Sequence, residues 1–296
     1  MNRIIAIVGP TAVGKTKLAI ELAKEFSGEV ISCDSMQFYK NLDIGTAKVT
    51  KVEMEGVKHH LIDILEVSDS FSVAKYQKIV RDKLEEILAK KRTPILVGGS
   101  GLFINSVLYD YQFKGDKRST KKLSLYEEKS LEELVAILKE KSPMIASNTV
   151  LDNKRRVLRA LEKTDDDLDL SGTNLYYEDS NIIALEMDRA KLYQRINARV
   201  DKMMDTGLLA EAKWLYDQSL DTQATKAIGY KEFFSYFDGL TDLETAVELL
   251  KRNSRRYAKR QMTWFKNKMN CHWLSVDPLN YNVTIEEAKK YIKEKD

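Results

Sequence analysis

Cysteine is nearly absent. The 296 residues include only Cys33 and Cys271, far apart and outside any C-x-x-C pair. That excludes a disulfide framework and a thiolate zinc site. Long apolar runs are missing as well. The longest near the start is Ile4 to Val8, too short for a signal-peptide core or a membrane span, so a cytoplasmic protein with no membrane partner is expected. Acidic residues are absent between Lys251 and Lys268, a stretch with eight Lys or Arg, although the chain's formal net charge is only +3. Positive charge is therefore concentrated near the end of the chain. No internal repeat or low-complexity tail is present. The length suffices for one large domain, or for one plus an insertion.

What is present begins with a loop. Gly9, Pro10, Thr11, Ala12, Val13, Gly14, Lys15 and Thr16 fit G-x-x-x-x-G-K-[ST]. Arg3–Val8 ahead of them reads as a buried strand, and Lys17–Phe26 behind them as a helix with Leu18, Leu22 and Phe26 on one face. Strand, glycine loop and helix is the context a phosphate-binding loop requires. Its amide groups and the helix N-terminus offer positive potential, Lys15 adds a charge, and the Thr16 hydroxyl can ligate Mg²⁺.

Three more apolar runs read as parallel strands: Glu29–Cys33 before Asp34, Thr93–Val97 before Gly98, and Asn181–Leu185 before Asp188. A helical pattern over Val73–Lys91 places Tyr76, Val80, Leu84, Ile87 and Leu88 together. The alternation predicts an α/β, P-loop NTPase-like, doubly wound parallel sheet with ligands at the strand C-terminal ends. From Tyr111 to Tyr177 this rhythm lapses. Residues 112–177 are expected to form a helical insertion over the crevice, with helices at Leu131–Leu138 and Arg155–Glu162. The core is expected to comprise 1–111 and 178–296, nearly all helix beyond Arg189. Within the insertion, the acidic run Asp165–Asp169 reads as a solvated loop, and Lys114–Lys122 is basic.

Asp34 ends an apolar strand across from the phosphate loop, where Mg²⁺ ligands and catalytic bases occur; a helix N-cap is the plainer alternative. Gln37 carries an amide able to pair with an adenine edge, though a surface glutamine is commoner. Gly98, Gly99, Ser100 and Gly101 let a ligand approach the backbone, with Ser100 offering a hydroxyl or capping the next helix. His59 and His60 are neighbours in extended chain, hence on opposite faces, and read as structural. Arg252, Arg256, Lys259 and Lys266 make a basic helical stripe with Arg255 beside it, while Tyr257 and Trp264 share a face that suits a core. The density of charge there, and a second patch at Lys154, Arg155, Arg156 and Arg159, favours a nucleic-acid backbone over a merely solvated face.

These residues resemble the bacterial tRNA dimethylallyltransferase family nearly end to end. The matching segments are GPTAVGKT at 9–16, DSMQFY at 34–39, DIGTAK at 43–48, HHLIDI at 59–64, GGSGLF at 98–103, RRVLRALE at 155–162, AIGYKE at 227–232 and KRQMTWF at 259–265. The resemblance implies that the loop holds the diphosphate of dimethylallyl diphosphate and that tRNA enters from the opposite side. It further implies Asp34 as general base, and Lys15 and Thr16 serving the diphosphate and Mg²⁺. Asp34, Ser35, Met36, Gln37 and Ser100 would then lie near the extruded adenine 3′ to the anticodon. Arg155, Arg156, Val157, Leu158 and Arg159, with Arg255 and Arg256, would contact the anticodon stem-loop. The enzyme would be a monomer. Departures from the family pattern are Ser100 for Thr, Phe103 for Tyr, Val49 for Pro and Val150–Asn153 for His-Pro-Asn-Asp. Lys226 stands where some members carry an Arg reaching the diphosphate. Without the resemblance, an ATP-binding small-molecule or nucleotide kinase with Asp34 activating a hydroxyl would rank first; it is the main alternative, and a non-catalytic RNA-binding protein the next.

Overall fold

The computed structural model describes residues 3–113, 126, 128–147, 149–164 and 174–295. The Lys114–Lys122 and Asp165–Asp169 runs lie outside the described residues. The chain divides into two compact units, one of Met1–Asp110 with Asn174–Asp296 and one of Tyr111–Thr173.

In the larger unit, β1 (Ile4–Val8) is apolar at every position because it is covered on both faces. Ile4, Ala6 and Val8 feed one core, and Ile5 and Ile7 the other. Helix α1 (Lys15–Glu25) leads to β2 (Gly28–Ser32), and the two-residue β3 (His59–His60) pairs along its outer edge. Helix α2 (Val73–Ala89) buries Tyr76, Val80, Leu84 and Ile87, then β4 (Thr93–Gly98) and α3 (Gly101–Leu108) follow.

The smaller unit is helical: α4 (Leu131–Lys141), α5 (Pro143–Ser147) and α6 (Lys154–Thr164). Ser130 and Glu133 close a reciprocal capping box at the start of α4. Leu134, Leu138, Ala146, Val157, Ala160 and Leu161 form this unit's own core.

The chain returns to the larger unit through β5 (Ser180–Glu186). Helices α7 (Arg189–Asp205) and α8 (Leu208–Asp217), a 3-10 turn at Lys231–Phe233, α9 (Phe234–Phe237) and the long α10 (Leu243–Lys268) come next. Strand β6 (His272–Ser275) and α11 (Tyr281–Lys293) complete it. All strand pairs are parallel, in the order β3-β2-β4-β1-β5-β6. This is the doubly wound sheet that the alternation predicts. The chain leaves β1 toward β2 and leaves neighbouring β4 toward β5, so a ligand crevice opens at their carboxyl ends.

One expectation needs correction. Strand β6 interrupts the helical run beyond Arg189; of its four residues only Leu274 is buried, so no apolar run announces it. The smaller unit runs to Thr173. Residues 174–176 bond back to the larger unit: the Asp110 amide donates to the Asn174 carbonyl at 3.0 Å, and the Tyr176 amide to that of Leu108 at 2.7 Å.

Candidate active site

The loop after β1 is shaped to present amides. Ala12 adopts φ 65° and Gly14 φ 111°, left-handed conformations that turn successive N–H groups inward. Gly14 also has no room for a side chain, since a Cβ there would fall 2.8 Å from the Tyr281 ring. Tyr281 on α11 buttresses the loop by donating its hydroxyl proton to the Gly14 carbonyl at 2.7 Å. Helix α1 has no acidic residue in its first turn, so its N-terminal potential stays open to an anion. Thr16 is exposed at this position.

Lys15 reaches back across the loop, its Nζ donating to the Gly9 carbonyl at 3.0 Å and to Pro10 at 2.7 Å. Burial brings its ammonium down to about 7; the Asp34 carboxylate works against that shift and the Arg199 charge adds to it. Arg199 and Arg195, both on α7, brace the loop from the other side. Arg199 Nη1 donates to the Thr11 hydroxyl at 3.3 Å, and Arg195 Nε to the Ala12 carbonyl at 2.9 Å.

Asp34 follows β2 at the carboxyl edge of the sheet. Its Oδ1 accepts from the Met36 amide at 3.1 Å, and its carbonyl from the Gln37 amide at 3.2 Å. It therefore caps a turn, not the helix of the alternative reading. Burial raises its pKa, opposed by the Met36 amide and by the charges of Lys15 and Arg199. The result is a carboxylate more basic than an exposed one, with two cations beside it.

Gln37 turns its amide inward. Its Oε1 accepts from the Ser32 hydroxyl at 3.1 Å, and its Nε2 donates to the carbonyls of Thr46 and Ala47, both at 3.4 Å. Those carbonyls belong to the 43–48 loop, which Glu211 of α8 organises. The Glu211 carboxylate accepts from the amides of Asp43, Ile44 and Gly45 at 2.9–3.0 Å, and from the Tyr230 hydroxyl at 2.7 Å. Glu211→Ala removes the acceptor for all four donors and should cost about 2–3 kcal/mol. The check is a lower urea midpoint at unchanged slope; an unmoved midpoint would mean that water replaces the carboxylate without loss.

Ser100 occupies the N-cap position of α3 but makes no side-chain cap bond. Tyr257 of α10 stands close to it, and burial pushes the Tyr257 pKa up to about 12. Gln261, one turn further along α10, joins the two loops: the Thr11 amide donates to its Oε1 at 2.9 Å, and its Nε2 donates to the Gly99 carbonyl at 3.1 Å. Phosphate loop, Asp34 and Ser100 thus lie together, with Arg199, Tyr257 and Gln261 supplied by distant helices.

The other sequence-predicted residues differ in burial and in partners. Ser35 and Met36 are half-buried beside Asp34. Lys226 is about half exposed and pairs with Asp221. Arg255 is half-buried and donates to Asn197 Oδ1 at 2.6 Å, whereas Arg256 is exposed. Arg256 lines an open cleft of about 560 Å³ along α10 with Lys259, Arg260, Trp264 and Lys268. In the smaller unit Arg155, Arg156 and Arg159 are exposed, Leu158 is half-buried and Val157 is buried in the core. Arg156 pairs with Asp152 at 3.2 Å. His60 bonds to the buried Glu29 carboxylate at 2.7 Å and His59 to the Val57 carbonyl at 2.9 Å, which are structural roles. Among the described residues no cluster of three His, Cys, Asp or Glu could hold a metal, and no helix is long and apolar enough to cross a membrane.

A doubly wound sheet with an amide-lined loop, a lysine and a facing carboxylate defines a P-loop protein built to act on a phosphorylated substrate. Comparison with known proteins gives the family. A family model described as IPP transferase matches residues 37–268. The tRNA dimethylallyltransferase of Bacillus velezensis is 52% identical over 303 residues, covering 98% of this chain and 95% of the relative. That of Enterococcus faecalis is 47% identical, covering 100% and 99%. The crystal structure of a tRNA delta(2)-isopentenylpyrophosphate transferase from Staphylococcus epidermidis superposes with a TM-score of 0.76 at 42% identity, covering 99% of each chain. A eukaryotic dimethylallyltransferase acting on tRNA superposes at 0.84 with 28% identity, covering 99% of this chain and 80% of that one. The chain belongs to the IPP transferase family.

Proposed function

We infer that the protein moves a dimethylallyl group from dimethylallyl diphosphate to tRNA, and we propose that the acceptor is the exocyclic amine of the adenosine 3′ to the anticodon. The carrying observation is Asp34, a carboxylate made more basic by burial and set beside the phosphate-loop cations Lys15 and Arg199. An exocyclic adenine amine is a poor nucleophile, because its lone pair is delocalised into the ring. Asp34 accepts its proton as the new N–C bond forms. The electron pair of the breaking C–O bond passes to the diphosphate. The loop amides, Lys15 and Arg199 stabilise that growing charge. Ser35, Met36 and the Ser100 hydroxyl border the extruded base; Gln37 reaches a base only by exchanging the internal bonds described above. Extrusion costs a few kcal/mol, which phosphate contacts by Arg155, Arg156, Arg159 and Arg256 offset. Val157 supports that face from within the core.

Mg²⁺ suits the donors present. It favours few protein oxygens plus substrate phosphates and water, and the exposed Thr16 hydroxyl is such an oxygen. When bound, the ion neutralises diphosphate charge. Lys226, paired with Asp221, is the further cation that the resemblance offers to the diphosphate. On this reading the protein works in the cytoplasm, on tRNA.

Incubating tRNA with the protein and dimethylallyl diphosphate, without ATP, should add one dimethylallyl mass to an adenosine in the nucleoside digest. Unmodified tRNA together with γ-phosphate transfer from ATP would hand the site to the kinase reading.

A further inference from the structure

Gln261 is the side chain on which both sides of the site converge. It is 5% exposed, and its two bonds run in opposite senses: oxygen to the Thr11 amide, nitrogen to the Gly99 carbonyl. A neutral carboxamide offers an acceptor and a donor on one flat group without carrying charge into the buried site. The fit is tight, since a Cβ on Gly99 would fall 1.9 Å from Nε2. Tyr257, one turn before Gln261 on α10, stands close to Ser100, and its hydroxyl feels the Asp34 charge. Thr11 is held a second time through its hydroxyl by Arg199. One buried amide therefore connects the diphosphate loop to the glycine turn that carries Ser100.

We propose that Gln261 is a positioning residue that fixes the phosphate loop relative to the Gly99–Ser100 turn, so that the carbon bound to the leaving diphosphate and the attacking amine meet in line. This rests on the function proposed above. Gln261 does not touch the reacting atoms. Its bonds cross between two loops, so they govern the separation of the two substrates more than the hold on either one. Displacement requires reacting atoms about 3–3.5 Å apart, and a misplacement of about 1 Å can cost about 100-fold. The signature is a slower chemical step with both affinities retained.

The test uses Gln261→Met, which keeps size and removes both bonds, and Gln261→Glu, which keeps the acceptor for Thr11 and loses the donor to Gly99. Single-turnover transfer is measured alongside the separate dissociation constants for dimethylallyl diphosphate and tRNA, with the thermal midpoint as a folding control. Gln261→Met should slow the chemical step by about 30- to 100-fold, with each dissociation constant within about 3-fold of wild type. Gln261→Glu should fall between the two. A folded variant that transfers at nearly the wild-type rate overturns the proposal. So does a loss shared equally by rate and affinity, which marks a purely structural or binding role. If the methionine variant does not fold, the glutamate variant carries the same comparison. Wild type failing to prenylate tRNA would defeat the proposed function, an outcome separate from either result for Gln261.

Discussion

Asp34→Asn should lower single-turnover prenyl transfer by about 10²- to 10⁴-fold, the range for removing a positioned general base. The substitution is nearly isosteric, and Asn keeps an oxygen to accept the Met36 amide at the place of Oδ1. The turn therefore stays intact and tRNA affinity should hold, isolating the proton transfer. The pH profile gives an independent readout. Burial raises the Asp34 pKa above the ordinary carboxylate value of 3.8. Wild-type activity should accordingly fall as pH drops through that raised value, because protonated Asp34 cannot accept the amine proton. The asparagine variant should lack this acid limb. A variant with more than about a tenth of wild-type turnover would remove Asp34 from the role of base, as the non-catalytic RNA-binding reading expects.

The parts of this site legible in the sequence are those built from contiguous chain. A loop that offers successive amides to an anion must be contiguous, so Gly9–Thr16 stands out. Asp34 and Ser100 stand out because each follows an apolar strand at a sheet edge. The parts contributed by remote helices were silent. Thr11 meets Gln261 across 250 residues and Arg199 across 188. In sequence Arg199 is one more cation in a charged helix, although it lies beside the buried face of Leu192, Ile196 and Val200. Gln261 carried a clearer signal: it shares the buried face of α10 with Ala258 and Phe265, and a glutamine in such a stripe needs partners. The resemblance drew attention to Lys226 as the diphosphate cation. Two cations that the resemblance did not point to, Arg199 and Arg195, bond to the loop directly. Strand β6 was silent too, because backbone pairing and not apolar patterning defines it.

Lys15→Met should lower kcat/KM for dimethylallyl diphosphate by about 10²- to 10³-fold, as loss of a single preorganised donor to developing charge does elsewhere. Lys15 also dictates how the wild type responds to alkali. Its ammonium, brought down to about 7 chiefly by burial, differs from the ordinary lysine value of 10.5. Between those two values the unfolded chain binds more protons than the folded one, so Lys15 makes folding stability rise with pH across that window. Diphosphate binding has the opposite trend. The anion favours the charged amine, so above about 7 each binding event draws in a proton and affinity weakens, by up to about tenfold per pH unit. Calorimetry in buffers of different ionisation enthalpy should therefore record proton uptake near pH 8 in wild type and a much smaller uptake in Lys15→Met. The same pair of proteins should differ in their melting curves, with only the wild type gaining this lysine-linked stability from pH 7 toward pH 10. Equal proton uptake by both proteins would mean that Lys15 is already charged before the substrate arrives. The depressed basicity assigned to the loop would then be wrong, while the loss of rate in the variant would still stand as the measure of its charge.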